Sequence, residues 1–320
     1  MPEDSLRPGT APHTKYERLV EAARKLPRIV AAVAHPCDAV SLESAVEAAQ
    51  LDIITPILCG PQAKIHAAAE KAKLDIAPFE LIDTEHSHAA AAAAVEQVRC
   101  GRAEALMKGS LHTDELMGAV VARDTGIRTA RRISHCFVMD VPNHPQALII
   151  SDAAVNIAPD LEAKVDIVQN AIDLAHALGV DAVRVAILSA METVNPKVPS
   201  TIEAAALCKM ADRGQITGAE LDGPLALDNA ISLEAAAIKH IVSPVAGRAN
   251  VLIVPDLEAG NMLAKSLSFL ASADAAGIVL GARVPVILTS RADSLLTRLA
   301  SCAVAVLVAA ARRTKAAVAV

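Results

Sequence analysis

Short apolar runs of strand length alternate along this chain with longer runs of helical period, and that rhythm limits the fold more than any other feature. Arg28 to Val33 reads as a buried strand, Leu42 to Ala49 as a helix, and Ile53 to Leu58 as a second strand stopped by Cys59-Gly60-Pro61. A helix over Ala63 to Ala72, a strand over Phe79 to Ile82, a helix over Ala89 to Val98 and a strand over Ala105 to Met107 continue the series. Strands joined through helices are parallel strands, because a parallel pair needs a long crossover. The expected architecture is an α/β fold with helices on both faces of the sheet.

The middle of the chain changes character. Arg132 to Asp140 and Gln146 to Ser151 are two strand-like runs separated by Pro142-Asn143-His144-Pro145, a spacing that predicts an antiparallel hairpin. Asp160 then stands at the N-cap position of a helix whose apolar residues Leu161, Val165, Val168, Ile172 and Ala175 recur at three- and four-residue steps, with Gly179 placed to end it. Val183 to Leu188 reads as a strand, and Ile202 to Met210 and Leu233 to Ile238 as helices. Asn250 to Val254 and Arg283 to Leu288 predict two more strands, each followed by a helix from Ala259 and to the chain end. At 320 residues the chain exceeds one comfortable core, so two lobes with short connections are expected.

Composition removes several function classes. Aromatics are 1% of the chain, too few for a base-stacking platform, and a formal charge of −6 disfavours nonspecific nucleic-acid binding. The polar start predicts no secretory signal, and the apolar run Leu299 to Ala311 reads as a buried helix, so no membrane is expected and the cytoplasm is the expected compartment. Six scattered cysteines without a C-x-x-C pair read as reduced thiols. His86 and His88 lack partners at ligand spacing, so a solvated helix N-terminus is preferred there over a metal site. No G-x-G, G-K-[ST] or G-x-S-x-G string occurs, which excludes the familiar dinucleotide, Walker-type and nucleophile-elbow motifs.

Ligands of open parallel sheets bind beyond the carboxyl ends of the strands. Three such ends carry polar residues before a helix: Lys108-Gly109-Ser110-Leu111-His112-Thr113, Asp256-Leu257-Glu258-Ala259-Gly260-Asn261, and Thr289-Ser290-Arg291-Ala292-Asp293-Ser294. Helix N-termini suit anions. The competing reading is ordinary capping, by Ser110 or Thr113 in the first loop and by Asp293 or Ser294 in the third. Arg291 directly after Ser290 is the most pointed case, since a guanidinium fork matches a phosphate. Arg132, Lys265 and Arg283 are further cationic candidates, for which an exposed salt-bridging role is the alternative.

The strings SPVAGRANVLIVPDLEAGNMLAK (Ser243 to Lys265), PVILTSRADS (Pro285 to Ser294) and KGSLHT with the downstream RRISHCFVMDVP resemble the phosphate acetyltransferase and phosphate butyryltransferase family, from about Arg28 to the last helix. The resemblance implies a two-lobed fold similar to the isocitrate and isopropylmalate dehydrogenases. The first lobe would comprise residues 1–137 and 287–320, with residues 138–286 inserted as the second. It also implies a homodimer and a reversible reaction in which acyl-CoA and phosphate give acyl phosphate and CoA. CoA is a substrate there, and no metal or cofactor is required. By resemblance Ser290 and Arg291 hold the acyl phosphate, and Lys108, Ser110, His112, Arg132, Asp256, Gly260, Asn261 and Lys265 belong to the substrate site.

In the acetyl branch the mechanism implied is direct attack by the CoA thiolate on the acyl carbonyl. A thiol of pKa ~8.5 is only partly ionised at neutral pH, so a base or a cationic field assists. The acid expected seven residues after the Ser is Thr297 here; Asp293 is the nearest acid, as base or as helix cap. Thr-Ser-Arg-x-Asp, together with Asn261-Met262-Leu263-Ala264-Lys265, looks more like the butyryl branch. The arginine of the acetyl branch after His-x-Thr is replaced near Met117, and Arg132 is the candidate to supply its charge. Two other readings stand beside this one. A metal-dependent dehydrogenase of similar fold would draw on Asp222, Asp228 and Asp256, and a catalytically silent acyl-CoA-binding protein is favoured by Thr297.

Overall fold

A computed structural model of the chain describes residues 14–289 and 293–318. In the first third α1 (Thr14–Arg24), a helix not expected from the sequence, comes first; β1 (Ile29–Ala34), α2 (Ala39–Gln50), β2 (Ile54–Gly60), α3 (Gln62–Ala72), β3 (Glu80–Asp83), α4 (Ser87–Arg99), β4 (Ala105–Lys108) and α5 (Thr113–Val121) then follow the predicted alternation. The hairpin is β5 (Ser134–Asp140) and β6 (Leu148–Ser151), paired antiparallel. Then come α6 (Leu161–Ala177), β7 (Arg184–Leu188), α7 (Pro199–Asp212), β8 (Glu220–Leu225), α8 (Leu227–Ile231), α9 (Leu233–Ile238), β9 (Val251–Ile253), α10 (Leu257–Leu270), β10 (Asp274–Leu280), β11 (Val286–Ile287) and α11 (Leu295–Val318). Asp160 caps α6 by accepting from the Ala163 amide at 2.8 Å, and Gly179 behind that helix has φ of 78°. The predicted strand over Arg283 to Leu288 shrinks to two residues.

The described strands form one sheet in the order β3-β2-β1-β4-β11-β10-β5-β6-β9-β7-β8. β1, β2, β3, β4 and β11 run parallel, as expected of strands joined through helices. β10 is antiparallel to both β11 and β5, and the hairpin reverses direction again. β6, β9, β7 and β8 therefore run in the opposite sense to β1 and β4. The described strands thus make a single mixed sheet.

Side chains alternate between the two faces of a strand. On one face the buried residues form one continuous core, from Val33 and Met107 through Ile278 and Cys136 to Ile253 and Val185, covered by α1, α2, α6, α7 and α11. On the other face the core is split. One cluster gathers around Leu106, Val279 and Leu116, the other around Ile150, Leu252 and Ala264. The seam falls over β10 and β5, at Gly277 and His135. Burial of this order, at ~25 cal/mol per Å² of apolar surface, is the main term holding the helices to the sheet.

α11 over Leu295–Thr314 is long and apolar enough to cross a bilayer by length and composition, with mean hydropathy 1.7, yet 67% of that stretch is buried. Ala300 and Cys302 to Val306 have no exposure. It is a core helix. Ser301 ties it to the sheet, accepting from the Gly277 amide at 3.1 Å and donating to the Thr297 carbonyl at 2.9 Å.

Candidate active site

β4 and β11 are parallel neighbours, with Met107 opposite Ile287. The chain therefore leaves both strands at the same edge, which brings Lys108-Gly109 beside Leu288-Thr289. Lys108, 8% exposed, donates to the Gly109 carbonyl at 3.3 Å. Gly109 is required by close approach, because a Cβ there would lie 2.4 Å from the Ala34 carbonyl oxygen and 2.5 Å from that of His35. A narrow gap of ≈10 Å³ between Lys108, Gly109, Thr289, Arg298, Asp38 and Ser41 closes this corner. Ser290 and Arg291 lie outside the described residues.

Ser110 and His112 are tied to backbone architecture. The Ser110 hydroxyl donates to the His35 carbonyl at 2.8 Å, lies 3.0 Å from His35 Nδ1, and accepts from the Cys37 amide at 3.3 Å, which fixes the loop after β1. Burial, then Lys64, lowers the His35 pKa. His112, rather than Ser110 or Thr113, stands at the N-cap position of α5, and its amide donates to Glu115 at 2.8 Å. His86 caps α4 through Nδ1, which accepts from the Ala89 amide at 3.2 Å, and His88 meets Glu115 at 3.1 Å. Among the described residues no group of three His, Cys, Asp or Glu side chains forms a candidate metal set.

The start of α11 resolves the two readings of its capping. Ser294 is the cap: its hydroxyl accepts from the Thr297 amide and donates to Thr297 Oγ1, each at 3.1 Å. The side chain at the position expected to be acidic is thus buried in the cap itself. Asp293 contributes its backbone carbonyl, which accepts from Arg298 Nη1 at 2.5 Å. The Tyr16 hydroxyl donates to the Val138 carbonyl at 2.9 Å; burial first, then Asp274, Asp140 and Asp293, pushes its pKa well above the usual phenol value.

The other predicted residues lie around β5, β6 and β9. Asp256 caps α10, accepting from the Ala259 amide at 2.8 Å, so the helix begins two residues before the predicted Ala259. Gly260 lets α10 approach the chain after β6, since a Cβ would meet the Asp152 carbonyl oxygen at 2.8 Å. Asn261 Nδ2 donates to the Ala153 carbonyl at 3.3 Å, and Lys265 is exposed. Arg132 Nε donates to Asn156 Oδ1 at 2.8 Å, beside a cavity of ≈580 Å³ lined also by Arg128, Arg131, Asp160 and Asp166. The structure thus brings Lys108, Ser110, His112 and Asp293 to the β1–β4–β11 end of the sheet. Arg132, Asp256, Gly260 and Asn261 gather around the chain after β6.

Sequence reasoning missed the residues that organise the second group. Asp152, 2% exposed, accepts from the amides of Ala154, Val155 and Asn156 and from Asn156 Nδ2. Asn156 in turn holds Arg132. An acid directly after the buried run Leu148 to Ser151 was the available signal. His135, 1% exposed, lies at the seam with its ring centroid 4.4 Å from that of Phe137. Burial pushes its pKa down to about 4, with Asp152 acting in the opposite direction, so the ring is neutral at pH 7. Arg298, inside an apolar helical run, was also missed.

A family model described as Phosphate acetyl/butaryl transferase matches residues 88–306. Among curated proteins, the phosphate acetyltransferase of Rhizobium meliloti is 67% identical over 94% of this chain and 95% of its own length. The phosphate butyryltransferase of Clostridium beijerinckii is 41% identical over 92% of this chain and 98% of its own. The crystal structure of a branched-chain phosphotransacylase from Enterococcus faecalis superposes with a TM-score of 0.77 at 29% identity, covering 88% of this chain and 99% of that one. A 4-hydroxythreonine-4-phosphate dehydrogenase from Klebsiella pneumoniae shares the fold at 13% identity, with a TM-score of 0.54 over 88% of this chain and 99% of that one. The dehydrogenase likeness is one of fold.

Proposed function

The chain belongs to the phosphate acetyl- and butyryltransferase family, and from that premise we propose how its own residues divide the work of moving a short acyl group between CoA and phosphate. The phosphoryl group is held at the shared end of β4 and β11, by Ser290 and Arg291 with Lys108 beside them. The observation that supports this reading is the parallel pairing of those two strands, which brings the buried Lys108 beside Leu288-Thr289, the residues directly before Ser290 in the chain. Cations there stabilise the negative charge that grows on the phosphoryl oxygens as the acyl carbon is attacked.

In the direction of thioester synthesis the CoA sulfur, having lost its proton to a base, bonds to the acyl carbon. The carbon–oxygen bond to phosphate breaks, and phosphate leaves with the electron pair. Asp293 is the base candidate. Its support is its place in the chain, three residues after Ser290 and the nearest acid to it. Arg132, oriented by Asn156, offers a second cationic position. No metal is needed for any of these steps, and CoA acts as a substrate.

Both acetyl- and butyryltransferases resemble the chain, and the 67% identity to an acetyltransferase supports acetyl as the favoured group. Purified protein mixed with CoA and acyl phosphates from C2 to C5, in the presence of a chelator, is expected to form thioester most rapidly with acetyl phosphate. No thioester with any of them would remove the reading, and a maximum at C4 would reassign the acyl group. We place the enzyme in the cytoplasm as a homodimer. Supporting the dimer, α9 and α10 expose Leu233, Ile238, Met262, Phe269 and Leu270, an apolar surface of the kind partners cover; a one-chain mass in sedimentation would refute it.

A further inference from the structure

The loop after α5 meets the connection from β10 to β11 at the edge of the sheet where β4, β5 and β11 begin, opposite the edge at which Lys108 ends β4. The two segments are bonded through their backbones. The Arg283 amide donates to the Ile127 carbonyl at 2.9 Å, Arg128 and Ala282 form an antiparallel bridge, and the Thr129 hydroxyl donates to the Gly281 carbonyl at 2.6 Å. The loop also closes on itself, the Gly126 amide donating to the Ala122 carbonyl at 3.1 Å and the Ile127 amide to the Val120 carbonyl at 2.9 Å. A Cβ at Gly126 would stand 2.3 Å from the Ala122 carbonyl oxygen, so the turn is too tight for any other residue.

This fixed backbone holds Arg123, Arg128 and Arg283 around a cavity of ≈590 Å³, lined also by Glu96, Arg99 and Asp124. None of the three guanidiniums has a hydrogen bond or an ion pair among the described residues. Glu96 is taken by Arg99 at 2.9 Å. Other exposed arginines of this chain do find acids, as in Arg28–Asp52, Arg102–Glu80 and Arg313–Glu104. Three like charges gathered around one hollow repel one another, and an anion carrying several charges would relieve that repulsion. Guanidinium forks match phosphate oxygens in pairs. The volume falls within the range of small-molecule sites, roughly 300–1,000 Å³. No aromatic side chain lines the hollow, so a nucleotide base would have nothing to stack on. The chemistry therefore favours a compact ligand.

We propose that this hollow binds a compact polyphosphate anion of the pyrophosphate type, held by Arg123, Arg128 and Arg283. Its binding ties the loop after α5 to the connection that feeds β11.

Calorimetric titration with inorganic pyrophosphate is the test. The parent protein is expected to bind it, and Arg123→Gln and Arg283→Gln are each expected to weaken binding about tenfold or more, the scale of one charge-assisted hydrogen bond. Lys209→Gln removes an exposed charge paired with Asp212 on α7 and is the control, expected to change the affinity less than about twofold. Arg123 has no partner to lose, so Arg123→Gln is expected to keep the thermal midpoint of the parent and, within about twofold, its KM for phosphate. Pyrophosphate is expected to raise the midpoint of the parent more than that of Arg123→Gln. Absence of binding to the parent would overturn the proposal, as would unchanged affinity in Arg123→Gln or equal weakening in Lys209→Gln. So would complete displacement of pyrophosphate by saturating CoA, which would make the hollow part of the substrate site.

Discussion

Arg291→Ala is expected to lower turnover at least ~100-fold with acyl phosphate and CoA, the scale of losing one preorganised stabiliser of developing charge. The guanidinium matches two phosphoryl oxygens at once, and a methyl group replaces none of that. Because the interaction strengthens as phosphate becomes the leaving group, kcat falls as well as kcat/KM. Initial rates of thioester formation decide the matter. Near-normal turnover would take Arg291 out of the site.

The second large effect comes from a residue with no side chain. β11 leaves the sheet across Gly277: the Leu288 carbonyl oxygen lies 2.5 Å from where a Cβ would stand, and His135 Nε2 lies 3.1 Å from it. On its other side the Gly277 amide is held by Ser301. Gly277→Ala must therefore push Leu288, and with it the approach to Ser290, off its course. Overpacking of this kind costs about 1–3 kcal/mol. A shift of about 1 Å at a reacting group can cost on the order of 100-fold in rate. Urea unfolding and kcat measured on the same preparation should both fall. Gly118→Ala, where a Cβ meets nothing within 4 Å, is the control expected to leave turnover unchanged. If the two variants behave alike, Gly277 does not set the course of the chain at Leu288.

Most of the first third of the chain was legible because its strands are buried on both faces and read as unbroken apolar runs, as in Ile29–Ala34. The hairpin and α6 were equally plain, each marked by turn residues or a capping acid. β8 escaped notice because Glu220–Leu225 is polar and contains Gly223-Pro224; an edge strand tolerates both residues. β10 was hidden by its lack of a break from α10 and by Gly277. α1 lies in a polar stretch whose anchor, the fully buried Tyr16, has its partner at Val138, far along the chain.

The site was half legible. Lys108, Ser290, Arg291 and Asp293 follow apolar strands and could be found from that alone. The capping contest between Asp293 and Ser294 could not be settled from spacing, since both fit; the 3.1 Å bond from the Thr297 amide settles it for Ser294. Arg298 and Asp152 depend on burial, which arises from elements distant in sequence. A single cation inside the run from Leu295 to Ala311 was the one visible hint.

The most direct measurement is a crystal structure of the enzyme soaked with phosphate or a non-hydrolysable acyl phosphate analogue. The account predicts phosphate oxygens within about 2.7–3.1 Å of the Arg291 guanidinium and the Ser290 hydroxyl, at the end of the sheet that holds Lys108. Phosphate seated instead in the cavity beside Arg132 and Asp160, with Ser290 and Arg291 untouched, would contradict it.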